Sequence, residues 1–349
     1  MINVSKLSIL FVCNMDRATS LQRYFALKNN FDYVQRLYHS NYSIKRSLFQ
    51  RIIRAIFHRI GYTREFYGEN SKLLDTISRN TFDIVLIEKS LTIRPQTLQQ
   101  AKKNSINTKF ILYNLDDFMN KTNQSSYFIR CIPLYNVIAT NKKYNVREYR
   151  QFGGKNVIYF KNAFSTDFHN IVTPTTEEYQ YYASDILFIG AFEKHRVDYL
   201  NYLANAGYSI KVFGWGIKGS NKLKHPNITN MNQHLYGDDF CKAIISAKIS
   251  LNFLRKANRD TETTRTVEIP ACGGFMLSER SVEQQNMFEE KYEAEYFDSK
   301  EEMLSKTKYY LTNSEERLAI AKQGYNKTRS SNFSYNAQLK QIIQKAITV

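Results

Sequence analysis

The residues best suited to chemistry lie in one stretch, Arg255-Lys256-Ala257-Asn258-Arg259-Asp260-Thr261-Glu262-Thr263-Thr264-Arg265-Thr266-Val267-Glu268-Ile269-Pro270-Ala271-Cys272-Gly273-Gly274. It follows an apolar run ending at Leu254 and opens a helix expected over residues 266–272, stopped by Gly273 and Gly274. A helix start gathers unpaired backbone N–H groups and arginine offers a forked donor, so the combination favours phosphate. Glu268, near the first turn, can accept hydrogen bonds from a ribose diol. It can equally complement the helix dipole, a stabilisation of about 0.3 to 1 kcal/mol. Two other strand ends carry small residues. Gly190 allows a phosphate close to the backbone or simply makes a turn. Gly214-Trp215-Gly216 holds the only tryptophan of the chain, which packs either on a bound base or sugar or in the core.

Acids form a second set. Asp16 follows the first expected strand, and Glu88 with Lys89, then Asp116 with Asp117, follow later ones. A carboxylate at such a place can deprotonate an acceptor hydroxyl; it can also cap the next helix or stand in solvent. His169 reads as structural. No D-x-D pair marks a strand end, so no metal is expected. Cys13, Cys131, Cys241 and Cys272 are too far apart for a C-x-x-C pair, which argues against a disulfide framework or a zinc site and for a reducing, cytoplasmic setting.

A third feature is a basic amphipathic helix. Ile44, Leu48, Phe49, Ile52, Ile53, Ile56, Phe57 and Ile60 recur at helical spacing beside Lys45, Arg46, Arg51, Arg54 and Arg59, with no acid between Asn41 and Arg64. Such a helix suits an anionic bilayer surface, with Lys45, Arg46, Phe49, Arg51, Ile52, Arg54, Ile56 and Phe57 as contacts; the competing reading is a helix whose apolar stripe is core. The whole chain carries 49 basic and 32 acidic residues, a net charge of +17. That attracts polyanions; the competing reading is that AT-rich codon usage explains the lysine excess. A nucleic-acid-binding protein is the alternative class, weakened by the lack of a zinc finger, an RNP-like aromatic motif or a lysine-rich tail.

These residues need a scaffold. With 349 residues and 43% hydrophobic composition the chain is globular and long enough for two cores. No apolar run approaches the roughly 18 to 20 residues that span a bilayer, and the N-terminus lacks the marks of a signal peptide. Short apolar strands are expected at residues 7–13, 82–87, 109–113, 137–140 and 157–160, and again at 185–190, 209–213, 227–230, 249–254 and 274–278, alternating with helices at 20–28, 196–205 and 238–247. The alternation predicts an α/β protein with two Rossmann-like, doubly wound parallel sheets. The expected division is 1–172 on the acceptor side, 173–330 on the donor side, and a C-terminal helix in 331–349 returning to the first domain, with a cleft between the domains. Ser299 with Glu302, and Asn313 with Glu316, predict two capped helix starts.

At this point a family resemblance enters. The run Arg265–Ser278, then residues 296–302 and Tyr309-Tyr310-Leu311-Thr312-Asn313-Ser314-Glu315-Glu316-Arg317, resembles the C-terminal half of CgeB-type (spore-maturation-like) glycosyltransferases, which have the GT-B fold. Residues 185–190, Arg196 and the strand-end Asn252 are similar to the same domain, and residues 83–89, 113–117, 145–148 and 167–169 extend the resemblance to the N-terminal half. In the broader retaining GT-B families two acids separated by seven residues bracket the donor sugar and its ribose. Glu268 matches the second; Asp260 stands where the first is usually Glu. The resemblance implies metal-independent transfer of a sugar from a nucleotide diphosphate donor to a glycan or lipid-linked acceptor, in bacterial surface polysaccharide synthesis. In it Glu268 would hold the ribose, and Arg265 with Arg196 or Lys256 would neutralise the diphosphate. Gly190, Gly214, Trp215, Asn252, Asp260, Gly273 and Gly274 would complete the donor site, Asp16, Asp116 and Asp117 would be the candidate catalytic acids, and no cofactor beyond the donor would be needed. A GT-B nucleotide-sugar epimerase is the variant that needs no acceptor.

Overall fold

The computed structural model describes every residue except 1–3, 15–17, 41–46, 60, 66, 67, 122, 217, 218, 220–222 and 224. It divides into two compact units, Met1–Lys161 with Tyr335–Val349, and Asn162–Ser334.

The first unit runs β1 (Ser8–Asn14), α1 (Ala18–Asn30), β2 (Tyr33–Ser40), α2 (Leu48–Arg59), α3 (Glu69–Arg79), β3 (Ile84–Glu88), α4 (Pro95–Asn104), β4 (Lys109–Asn114), α5 (Ser126–Cys131), β5 (Val137–Thr140), α6 (Lys143–Gln151) and β6 (Val157–Tyr159). Its sheet has the order β2-β1-β3-β4-β5-β6, parallel throughout. Strands covered on both faces must be apolar on both, which is why β1, β3 and β5 read as continuous hydrophobic runs. Strand β2 was not expected. It lies at the sheet edge, is only half-buried, and Gln35 and Arg36 interrupt its apolar pattern.

The second unit runs α7 (Thr176–Tyr182), β7 (Ser184–Ile189), α8 (Lys194–Asn205), β8 (Ile210–Phe213), β9 (Ile228–Asn230), α9 (Gly237–Ser246), β10 (Ala247–Asn252), α10 (Arg265–Ala271), β11 (Met276–Glu279), α11 (Val282–Gln285), β12 (Glu295–Phe297), α12 (Lys300–Thr312) and α13 (Ser314–Ser330). The sheet order is β12-β11-β10-β7-β8-β9, again parallel. Alternate residues of β7 enter opposite faces: Ile186 and Phe188 join one apolar cluster, Leu187 and Ile189 the other. The last helix, α14 (Tyr335–Ile347), belongs to the first unit.

The division falls at 161/162 rather than 172/173. Phe164 bridges Ser334 and its N–H donates to the Phe333 carbonyl at 2.9 Å, while the Asn162 N–H donates to Glu262 Oε1 at 3.1 Å, so residues 162–172 are bonded into the second unit. The other end falls at 334/335 rather than 330/331. Within the first unit, α14 buries Tyr335, Leu339, Ile342 and Ile343. Tyr335 Oη accepts from Arg23 at 3.3 Å, and the Tyr113 hydroxyl donates to Gln338 at 2.7 Å.

Several acids have structural partners. Glu88 is buried against Arg23 at 2.6 Å and accepts from Ser20. Burial alone would raise the Glu88 carboxyl, but Arg23 and Lys89 hold it below its ordinary value. Lys89 pairs with Asp116 at 2.9 Å. Asp117 is fully buried and accepts from Asn145 Nδ2 at 3.1 Å and from the Asn120 N–H at 3.3 Å, holding the turn after β4. Asp16 lies outside the described residues. Of the two expected helix caps, Ser299 accepts from the Glu302 N–H as expected. Asn313 does not cap α13: its side chain donates to the Tyr309 carbonyl, closing α12 instead.

Candidate active site

In the second unit the chain passes from β7 to β8 and β9 on one side, then crosses back to β10 on the other. The carboxyl ends of β7 and β10 therefore flank a topological switch point, the place where open parallel sheets form a ligand crevice. A pocket of about 170 Å³ opens there, lined by Phe188, Ile189, Gly190, Ala191, Arg196, Asn252, Phe253, Arg255, Asp260, Thr263, Thr264 and Arg265. Five expected donor residues, Gly190, Arg196, Asn252, Asp260 and Arg265, thus come together from the turn after β7, α8, β10, the loop before α10 and the start of α10.

Three arginines give the pocket its charge. Arg196 is almost wholly buried; its Nη1 donates to the Ala191 carbonyl at 2.6 Å and its Nη2 to the Phe253 carbonyl at 3.4 Å. Its Nε is buried without a hydrogen-bond partner, and its guanidinium lies over Phe188, 5.4 Å from the ring centre. Burial lowers its pKa below the ordinary arginine value. Arg255 donates from Nε to Glu193 at 3.2 Å and is half-exposed. Arg265 donates from Nε to the Ile189 carbonyl at 3.0 Å, from Nη1 to Glu268, and stacks 4.6 Å over Phe240. Sequence reading had not singled out Arg255 as a ligand; its place at the pocket mouth depends on Glu193, sixty-two residues earlier.

Asn252 organises the loop rather than facing a ligand freely. Its Oδ1 accepts from the Thr263 hydroxyl at 2.9 Å, and its Nδ2 donates to Ser278 and Gln284, both at 3.0 Å. Gln284, Ser278 and Thr266 complete this buried network, and sequence reading missed all three. The first turn of α10 is not the amide cradle expected: the Thr266, Val267 and Glu268 N–H groups bond to the carbonyls of Thr263 and Thr264. The cationic groups that line the pocket are the arginines instead.

Glu268 is absent from the pocket lining. It is 1% exposed, with Arg265 on Oε2 and His169 Nε2 3.8 Å from Oε1. Burial pushes His169 down to about 4 despite the neighbouring carboxylate, so the imidazole is neutral at pH 7. Its Nδ1 accepts the Ser165 N–H at 3.0 Å, which leaves the proton on Nε2, toward Glu268. His169 is therefore part of the Glu268 environment, a link made by the fold and invisible in the sequence.

Of the remaining expected donor residues, Gly214, Trp215, Gly273 and Gly274 pack. Trp215 is core, edge-on to Phe188 and Phe192. Gly214, at φ +89°, has its α-carbon so close to Gly190 that a Cβ would lie 2.6 Å from the Gly190 carbonyl oxygen. Gly274 is tight against Ile244 and Gly273 against Ile171. Lys256 is exposed in the loop and outside the pocket lining. Asp260 lines the pocket and accepts from Asn258 Nδ2 at 2.7 Å.

Comparison with solved structures places this geometry. The Anabaena protein HepE, solved in complex with UDP-glucose, superposes over 98% of this chain and 100% of its own, with a TM-score of 0.68 at 11% identity. Sucrose-phosphate synthase from Thermosynechococcus elongatus does so over 98% and 100%, with a TM-score of 0.69 at 8% identity. The fold is GT-B. A glycosyltransferase from Rickettsia africae has the same GT-B fold, with a TM-score of 0.66 at 11% identity and 98% of each chain covered. Residues 196–344 match the family model described as glycosyl transferase-like, and this stretch carries most of the pocket. A comparison with curated proteins returns no match.

Proposed function

We propose that this GT-B protein transfers a sugar from a UDP-sugar to a hydroxyl of a glycan or lipid-linked acceptor. The observation that carries the reading is the pocket at the β7/β10 switch point, where Arg196, Arg255 and Arg265 converge inside the stretch that matches the glycosyl transferase-like family. HepE binds UDP-glucose, and UDP accompanies a second GT-B neighbour, TarM of S. aureus, which supports uridine as the base. The acceptor oxygen bonds to the sugar C1 as the bond from C1 to the β-phosphate oxygen breaks. The acceptor proton passes to a base, and the diphosphate departs with its electron pair. Guanidinium groups placed in advance stabilise that charge without a divalent ion, so the reading expects transfer to continue in EDTA.

The reading extends to surface polysaccharide synthesis on the cytoplasmic side of a membrane, and what supports the membrane contact is helix α2. Its Leu48, Phe49, Ile52 and Ile56 are exposed, Leu48 and Phe49 by 72% and 70%, and Phe57 is partly so. An exposed apolar stripe on a strongly basic helix complements an anionic bilayer. Lys45 and Arg46 lie outside the described residues, and only the backbone of Arg51 and Arg54 is described. No described helix is long and apolar enough to cross a membrane.

The test is a thermal-shift panel of UDP, GDP, ADP, CDP and dTDP. A ligand at 100 times its Kd stabilises by about 2.7 kcal/mol, which moves Tm by several degrees. UDP alone should shift the protein. No shift with any nucleotide, together with salt-dependent duplex DNA binding, would replace this reading by polyanion binding.

A further inference from the structure

The acid matched to ribose recognition does not reach the pocket. Glu268 is 1% exposed, and Arg265, which lines the pocket, donates to Glu268 Oε2. Resting on the donor-site reading above, we propose that Arg265 determines specificity by making ribose recognition conditional on a diphosphate: the phosphates draw its guanidinium off Glu268, and only then does the carboxylate meet the ribose diol.

The geometry gives each group a reason to behave in this way. Arg265 is 28% exposed and its other fixed donor bond goes to a backbone carbonyl, so its fork can turn toward the pocket without unfolding α10. A diphosphate offers more negative charge and more acceptor oxygens than one carboxylate, and a planar fork suits phosphate. Glu268 cannot be left bare, because a buried carboxylate without partners is strongly disfavoured. His169 Nε2–H stays near Oε1, and the ribose hydroxyls replace Arg265 at Oε2. A nucleoside alone must displace Arg265 without giving it a new partner, and a diphosphate alone strips Glu268 without replacing the bond. Only the two joined in one ligand satisfy both residues, a coupling of binding free energies.

The experiment is calorimetric titration of the full chain with UDP and with uridine, for wild type, Arg265→Met, Arg265→Met/Glu268→Gln and Arg265→Lys, each first shown to melt cooperatively. Arg265→Met should weaken UDP about tenfold or more yet tighten uridine about fivefold or more, within the usual range of coupling. The gain for uridine should vanish in the double variant, which no longer exposes a carboxylate. Arg265→Lys keeps a cation beside Glu268, so it preserves the fold, and a single ammonium should move both affinities in the same directions by less. Uridine affinity unchanged or lowered in the folded Arg265 variants, with UDP still binding wild type, would overturn the proposal and leave the donor site standing. Failure of wild type to bind UDP would remove the donor-site reading itself, and the proposal with it.

Discussion

Arg196 offers the sharpest test of the pocket. In Arg196→Met the side chain keeps its bulk over Phe188 and loses its charge and donors. The Ala191 and Phe253 carbonyls, held at 2.6 and 3.4 Å, lose their partners, at a cost of about 1 to 3 kcal/mol for a buried acceptor left unpaired. Part of that is returned, because a cation whose pKa burial already lowers no longer has to be desolvated. Net destabilisation should be about 1 to 2 kcal/mol, read by urea unfolding. The effect on UDP is larger in relative terms. The unpartnered Nε and the charge behind it are lost to the diphosphate, and one charge-assisted hydrogen bond contributes about 1.5 to 3 kcal/mol. Affinity for UDP should then fall about 10- to 150-fold, while uridine, which has no phosphate, binds as to wild type. Isothermal calorimetry measures both. A folded Arg196→Met protein that binds UDP within threefold of wild type would refute the assignment of this arginine to the diphosphate.

Three other outcomes follow from particular contacts. Ile52→Ser with Ile56→Ser should reduce cosedimentation with vesicles containing anionic lipid at least tenfold, since a large apolar side chain contributes about 1.5 to 3 kcal/mol on burial; unchanged sedimentation would show that α2 does not meet the bilayer. Asp117→Ala should lower stability by about 1 to 3 kcal/mol through its lost acceptors, with kcat little altered; the reverse pattern would return Asp117 to the chemistry. His169 is held near 4 in the folded protein against 6.5 when unfolded, so the unfolded chain binds the extra proton between these values. Stability should therefore fall as pH drops from about 6.5 toward 4, by about 3 kcal/mol from this residue. Glu268, Arg265 and Arg329 face the ring, and His169→Gln should flatten that part of the profile relative to wild type.

The frame of this molecule was legible because it is written locally. A strand covered on both faces needs a continuous apolar run, and residues 137–140 and 185–190 show it, while edge strand β2 escapes notice because half its surface is wet. The loop from Arg255 to Gly274 was likewise visible, since a polar, arginine-rich turn between a strand and a helix is a local pattern. Helix capping was partly readable: Ser299 obeys the expected pattern, whereas Asn313 serves the helix before it, because two helices meet at that residue and compete for its side chain.

Composition and periodicity thus determined two parallel sheets, ten of the twelve described strands, and the arginine-rich segment that lines most of the pocket. Partner choice belonged to the tertiary structure. Whether Glu268 meets solvent depends on Arg265 and His169, whether Asn252 is a ligand or a brace depends on Gln284, and whether Trp215 is a platform or core depends on Phe188 and Phe192. Burial and hydrogen-bond satisfaction are properties of which surfaces the fold brings together across tens of residues; of these contacts only Arg265 with Glu268, three residues apart on α10, lies within one window of sequence.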